Sequence, residues 1–321
     1  AKIENILRFQ NDFPDAKVFK LEQNYRSTQN IVNAANSIIE KNTKQIRKKS
    51  FSSGDQGEKI KVIKAYTDKE EASLIASDLY AAVRGGGVPY SETAVLYRTN
   101  AQSRALEEAL RNRNIPYKIY GGVSFYQRKE IKDLLAYLRV ISNPFDSEAV
   151  TRIVNVPKRG IGARTVEVLE EYANQTQLSV YDAVLDVDEL PLNAGSKQKV
   201  RAFGTLLKEL VIKGDTMSAD ELIREVINDS GILSMYADDS DESINKKANI
   251  DEFVNSVDEF CKLNKGATLS DFLNQVTLSS DTDDMDESDY VTLATIHSVK
   301  GLEFKVVFLA GLEENLSLIH I

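Results

Sequence analysis

The chain has 321 residues, 42% hydrophobic and 28% charged, with a formal net charge of −9. That length exceeds one ordinary core and suits two domains, and the composition excludes disordered, collagen-like and membrane-embedded chains. Apolar runs such as Val306–Ala310 fall far short of the ~20 residues that a membrane crossing needs, and the first residues carry no basic-then-apolar leader. A single cysteine, Cys261, excludes an internal disulfide framework, and two histidines argue against a zinc site. A cytoplasmic protein with no membrane partner is expected.

The net charge conceals an asymmetry. Residues 1–165 hold 28 Lys+Arg against 18 Asp+Glu, whereas residues 166–321 hold 12 against 31. A basic half joined to an acidic half allows a local phosphate-binding surface on a protein that otherwise repels nucleic acid. Two solvated halves would give the same numbers.

In chain order, Lys17–Leu21 reads as a strand, followed by Ser27 and Thr28 as N-caps for a helix through Ile31, Ala34, Ala35 and Ile38. Residues 60–65 alternate as a strand and 70–83 have a helical period. Thr93–Tyr97 is a buried-strand run, Ser103–Asn112 a helix and Tyr117–Tyr120 a strand. This alternation predicts an α/β fold with a mostly parallel sheet covered by helices. From about residue 140 strand signals stop, and helices are expected over 148–154, 165–175, 179–185, 196–212, 218–228 and 245–264. The acidic run 281–289 lacks apolar periodicity and reads as a linker. Residues 291–295 and 305–310 are strands again, expected to share one sheet with 17–22, 60–65, 93–97 and 117–120, since short apolar strands are marginal alone. The economical reading is one α/β domain (1–140 with 288–321) interrupted by an all-helical insertion (141–287).

Two segments carry chemistry. Gln23-Asn-Tyr-Arg-Ser-Thr28 lies between a strand and a helix, where α/β folds place ligand groups. Tyr25 offers a flat ring for a base, and Arg26 a planar donor fork for phosphate. A tyrosine packed on the sheet and an arginine paired with Glu22 would explain the same residues. Thr295-Ile-His-Ser-Val-Lys-Gly-Leu-Glu-Phe304 also starts at a strand end. Lys300 and the hydroxyls suit DNA phosphates, Glu303 can accept from ribose hydroxyls, and Gly301 permits close backbone approach.

Together these segments resemble superfamily 1 DNA helicases of the PcrA/UvrD/Rep type, nearest the Gram-positive PcrA branch. Residues 96–104 and 121–133 resemble the same family, so the likeness runs from about residue 1 to Leu316. The resemblance implies a RecA-like motor domain, often called 2A, interrupted by helical accessory domain 2B. It implies an ATP site with Tyr25 on the adenine, Arg26 at the γ-phosphate as an arginine finger, Gln23 and Gly301 nearby, and Glu303 at the ribose. Arg98, Asn100, Thr295, His297 and Lys300 would contact single-stranded DNA.

Within the helical part, Val156-Pro-Lys-Arg-Gly-Ile-Gly-Ala-Arg-Thr165 combines a Gly-Ile-Gly turn with Lys158, Arg159 and Arg164. Backbone amides ahead of a helix suit an anion. In the resembled family the equivalent turn touches duplex DNA, so Lys158, Arg159, Gly160 and Gly162 are expected on the duplex backbone; a tight turn with solvated charges is the bland reading.

No Gly-Lys pair occurs, so there is no P-loop. Asp220-Glu221 and Asp251-Glu252 resemble an Asp-Glu box but sit in helical patterns and read as surface charges. The magnesium ligands of an ATP site, and an N-terminal motor domain in cis, would therefore come from elsewhere. The family's later arginine motif is also lacking, and Ser317–Ile321, including His320, departs from the family's Phe-Pro continuation. The expected function is half of an ATP-dependent 3′-to-5′ DNA helicase, inactive alone, with repair or replication proteins as partners. A helicase–nuclease motor region of the AddA/RecB kind and a protein-interaction module are the alternatives; Tyr25 and Arg26 buried away from a cleft would favour the latter.

Overall fold

The computed structural model describes residues 3–43, 45–85, 87–281 and 289–312. Most of the acidic run 281–289, and all of Ser317–Ile321 with His320, lie outside them. The chain divides into two compact units, Ala1–Ala65 and Tyr66–Ile321.

The first unit contains α1 (Ile3–Asp12), β1 (Gln23–Asn24), α2 (Gln29–Ile39) and β2 (Phe51–Ser52). β1 and β2 pair in parallel, Gln23 opposite Phe51. Thr28 is the N-cap of α2, in extended conformation and without a side-chain hydrogen bond. The strands expected over 17–22 and 60–65 do not form, and β1 takes up the pairing just beyond the first. The reason is a missing ladder. An apolar run becomes a strand only where a neighbour accepts and donates its backbone bonds, and here Phe19, Leu21 and Val62 stand 83%, 87% and 88% exposed.

The second unit begins with α3 (Asp68–Arg84). Thr67 Oγ1 accepts from Glu70 N while the Glu70 carboxylate accepts from Tyr66 N, so the helix start is fixed from both sides. There follow β3 (Thr93–Tyr97), α4 (Ser103–Asn112), β4 (Tyr117–Tyr120) and α5 (Lys129–Ser142). Between β4 and the next strand every regular element among the described residues is helical: α5, α6 (Ser147–Ile153), α7 (Ala163–Thr176), α8 (Val180–Leu185), α9 (Ala194–Gly214), α10 (Ala219–Ser230), α11 (Asp241–Leu263) and α12 (Leu269–Asp281), with short 3-10 turns. β5 (Val291–Thr295) and β6 (Val306–Leu309) close the unit. The sequence periods place most of these within a few residues, but α1, α5 and α12 are not among the expected helices.

The four strands form one parallel sheet in the order β4-β5-β3-β6. Tyr120, Ala294, Leu96 and Leu309 lie in one row across it, so all four strands end at the same edge. The expected six-stranded sheet is therefore corrected to four. β3 is buried along its whole length because both faces are covered. Val95, Tyr97, Val291 and Leu293 pack against Ala72, Ile75, Ala76 and Leu79 of α3 and Leu106 and Leu110 of α4. Ala94, Leu96 and Ala294 face Ile296, Val299 and Phe304 on the other side. A separate apolar cluster runs from Phe125 through Val276 and is built from α5 to α12. Leu134, fully buried there, would cost about 2–5 kcal/mol on truncation to alanine. Among the described residues no helix is long and apolar enough to cross a membrane.

Candidate nucleotide and nucleic-acid interface

The shared strand ends concentrate polar loops at one edge of the sheet, where open α/β folds bind ligands. Tyr97 and Thr295 are register partners, so the chain leaves β3 and β5 side by side. Arg98 from the first loop meets His297 from the second, its Nη1 lying 3.0 Å from Nδ1 and 3.2 Å from Nε2. A guanidinium can only donate, so in a hydrogen bond between the two the ring nitrogen is the acceptor. Both side chains reach the surface, His297 exposed and Arg98 half-buried. Two residues 199 apart in sequence thus form one donor-rich patch.

The loops are fixed from behind. Gln102 Oε1 accepts from the amides of Arg98 and Thr99, each at 3.0 Å, in a capping box with Thr99. That leaves Asn100 exposed at the loop's crest. Thr295 is partly used internally: its hydroxyl donates to Ser298 Oγ at 3.0 Å and accepts from Ser298 N at 3.3 Å. Lys300, Gly301 and Glu303 follow on the β5–β6 connection and are exposed. Gly301 has φ +102 with nothing within 4 Å of where a Cβ would be, so its need for glycine is conformational, not spatial.

Gln23, Tyr25 and Arg26 share one loop of the first unit. Asn24 Oδ1 accepts from Arg26 N at 3.0 Å and Ser27 N at 2.8 Å, an Asx turn that sets the loop's shape. Tyr25 is 85% exposed, and its hydroxyl donates to Gln23 Oε1 at 2.8 Å, while Gln23 Nε2 donates to Ser53 Oγ. Arg26 is exposed. A bare ring beside a guanidinium suits a base and a phosphate, and neither is buried in the sheet as the interaction-module alternative required.

The turn before α7 divides its expected ligands. Arg159 faces inward. Its Nη1 donates to the carbonyls of Ile153, Val156 and Pro157 at 2.8–3.2 Å, its Nη2 donates to Tyr137 Oη at 2.6 Å, and the guanidinium lies 5.2 Å from the Phe203 ring centroid. A cation committed to three carbonyls holds the turn and has little left for DNA, which corrects its expected phosphate role. Lys158 and Arg164 are exposed, the latter 3.2 Å from Glu167. Gly160 has φ +72, and Gly162 is the N-cap of α7 with no side chain capping the helix amides. Lys199 of α9 donates to Gly160 O at 3.2 Å and brings an unanticipated cation to this turn.

Beneath α4 runs a polar seam. Ser103 Oγ donates to Glu107 Oε1 at 2.7 Å and accepts from Arg128 Nη2 at 2.6 Å; Arg128 Nη1 donates to Asn249 Oδ1 at 3.0 Å, and Asn249 Nδ2 donates to Glu130 Oε1 at 2.6 Å. All five are buried. Burial pushes the Glu107 carboxyl up to about 7, against hydrogen bonds from Ser103 and the Phe125 amide and the charge of Arg128. The same burial raises the Tyr97 phenol and lowers the Arg128 guanidinium. Arg104, also buried, pairs with Glu108 at 3.1 Å, Glu259 at 3.6 Å and, more closely, Glu252. Glu252 is therefore a partly buried ion-pair partner and not the solvated surface charge expected from its helical pattern.

Sequence reasoning passed over Asn24, Gln102, Ser103, Arg128 and Lys199. Thr99-Asn-Ala-Gln102 was legible as a capping box. Lys199 had no local signal, because its partner lies 39 residues away.

Residues 19–317 match the UvrD-like helicase C-terminal domain. The chain is 43% identical over 320 residues to an ATP-dependent DNA helicase PcrA of Staphylococcus epidermidis, covering 98% of this chain and 44% of that protein. It is 41% identical over 320 residues to the ATP-dependent DNA helicase PcrA of Staphylococcus aureus, with the same coverage of each. The chain thus spans less than half the length of these relatives.

Proposed function

Because the chain belongs to the UvrD-like helicase C-terminal domain family, we propose that it is the second half of an ATP-driven motor that moves 3′ to 5′ on single-stranded DNA and unwinds duplex. The observation that carries this reading is the Arg98–His297 patch, made by two loops of a parallel sheet at the edge where such folds bind ligands. Residues 1–140 and 288–321 are the RecA-like motor domain, and 141–287 the helical accessory domain inserted in it. A six-strand count is not needed for that assignment; the return of β5 between β4 and β3 after the helices supports it.

Arg98, Asn100, His297 and Lys300 form the single-strand track, with Thr295 shaping its turn. Lys158, Gly160, Gly162 and Lys199 face duplex phosphates, and Arg159 holds their turn. Tyr25 stacks on adenine, Arg26 meets the γ-phosphate and Gln23 orients the Tyr25 ring. The exposed Tyr25–Arg26 loop fits the base-and-phosphate half of an ATP site. ATP supplies the cleavable phosphoanhydride, with Mg2+ held by the N-terminal motor domain. The residues here bind, orient and neutralise charge. Repair or replication proteins are its proposed partners.

The test is turnover in the full-length motor. Arg98→Ala and His297→Ala should each weaken stimulation by single-stranded DNA while leaving DNA-free turnover unchanged. Undiminished stimulation in both would remove this edge from the track.

A further inference from the structure

The seam under α4 is continuous with the track loop, and its far end lies on the helices. Ser103 directly follows the Thr99–Gln102 capping box that shapes the loop bearing Arg98 and Asn100. Through its hydroxyl, Ser103 reaches Arg128, and Arg128 reaches Asn249 in α11, 121 residues further along the chain. The next residue, Arg104, repeats the connection by pairing with Glu252 and Glu259 of the same helix. Arg128 is the junction. Its fork binds Ser103 with one nitrogen and Asn249 with the other, and its guanidinium lies 5.1 Å from the Phe125 ring centroid.

Apolar side chains would hold these elements together just as firmly but would tolerate a small slip between them. Directional bonds at 2.6 and 3.0 Å among buried groups define one register, since any displacement strands a buried charge. We propose that Arg128 is a positioning residue that locks the track loop to α11, so that single strand held at the sheet edge and duplex held by the helical region advance as one body. This rests on the functional reading above. Without the lock, the motor would still turn over on single-stranded DNA but would convert fewer turnovers into separated base pairs.

The experiment uses the full-length motor and measures base pairs unwound per ATP hydrolysed beside turnover on plain single-stranded DNA. Arg128→Lys keeps the buried charge but spans only one of the two partners, and Asn249→Leu keeps every charge in place; one of them survives as a test if the other fails to fold. Each is expected to lower the coupling ratio about 5-fold while single-strand-stimulated turnover stays within about twofold. Turnover and unwinding falling in equal proportion, or neither changing, overturns the proposal. Arg98→Ala run in parallel separates the two levels of inference. If it leaves stimulation intact, the track assignment itself fails. If it abolishes stimulation while the Arg128 and Asn249 variants stay fully coupled, only the positioning role fails.

Discussion

Glu107 gives the sharpest quantitative test of the buried seam, because its titration can be read in this chain alone. The carboxyl is 1% exposed and is raised from 4.5 to about 7, chiefly by burial. Arg128 and Arg111 pull it down, and its charge in turn helps to raise the Tyr97 phenol. In the unfolded chain the group returns to its ordinary value. Between about pH 4.5 and pH 7 the folded protein therefore holds a proton that the unfolded chain has released, and unfolding gives it up. Stability from this group is fully present below the lower limit, falls as pH rises through the window, and is lost above the upper one. A span of about 2.5 pH units at about 1.4 kcal/mol each gives about 3 kcal/mol. Glu107→Gln removes the titration while keeping an acceptor for Ser103 and the Phe125 amide. Urea unfolding followed by far-ultraviolet circular dichroism at several pH values should show the wild type losing about 3 kcal/mol relative to the variant between about pH 4.5 and pH 7.5. Parallel stability curves across that range would refute the reasoning, as would a wild type that gains on the variant with rising pH.

In the full-length motor, Arg26→Ala should lower turnover ~10³-fold or more, as losses of arginine fingers do, without altering the unfolding midpoint; a near-normal rate would take Arg26 out of the site. Lys158→Ala should weaken binding to tailed duplex more than to plain single strands and reduce the salt slope by ~0.9 for each phosphate no longer neutralised, read from affinities at several salt concentrations. Arg159→Ala should instead destabilise this chain by about 1–3 kcal/mol in denaturant unfolding, because it strands the carbonyls that it now satisfies. The chain by itself should show no ATP hydrolysis with or without DNA, since no Gly-Lys pair exists to build a P-loop; phosphate release abolished by Arg26→Ala would contradict this.

What could be read from the sequence divides along a physical line. The strands Thr93–Tyr97 and Val291–Thr295 were legible to the residue because a buried parallel strand is a short apolar run with turn residues at its ends, and Tyr117–Tyr120, which alternates half-buried and exposed at the sheet's edge, was legible to the residue as well. Lys17–Leu21 has the same apolar character, yet it is exposed and unpaired by any strand among the described residues. Apolar pattern marks what can be buried, and the partner that would bury it is a tertiary fact. The same limit governs the site. Arg98 and His297 were singled out one at a time, through the family resemblance of the segments that carry them, but their contact spans 199 residues and depends on β5 entering beside β3.

The clearest failure is also the most informative. Arg159 and Glu252 looked like surface charges or phosphate ligands, since charged residues seldom occupy interiors unless paired. Each has a partner that no local window contains, Tyr137 for one and Arg104 for the other. Residues 96–104 and 121–133 carry the family's likeness, yet Ser103, Arg104 and Arg128 within them touch one another's neighbours in the interior and not a ligand. A motif read as a binding signature therefore contains two populations. On the proposed function some of its residues would meet the substrate, and the others tie the loop that presents them to a helix 148 residues away, an arrangement that would hold a DNA contact and a distant helix in fixed register.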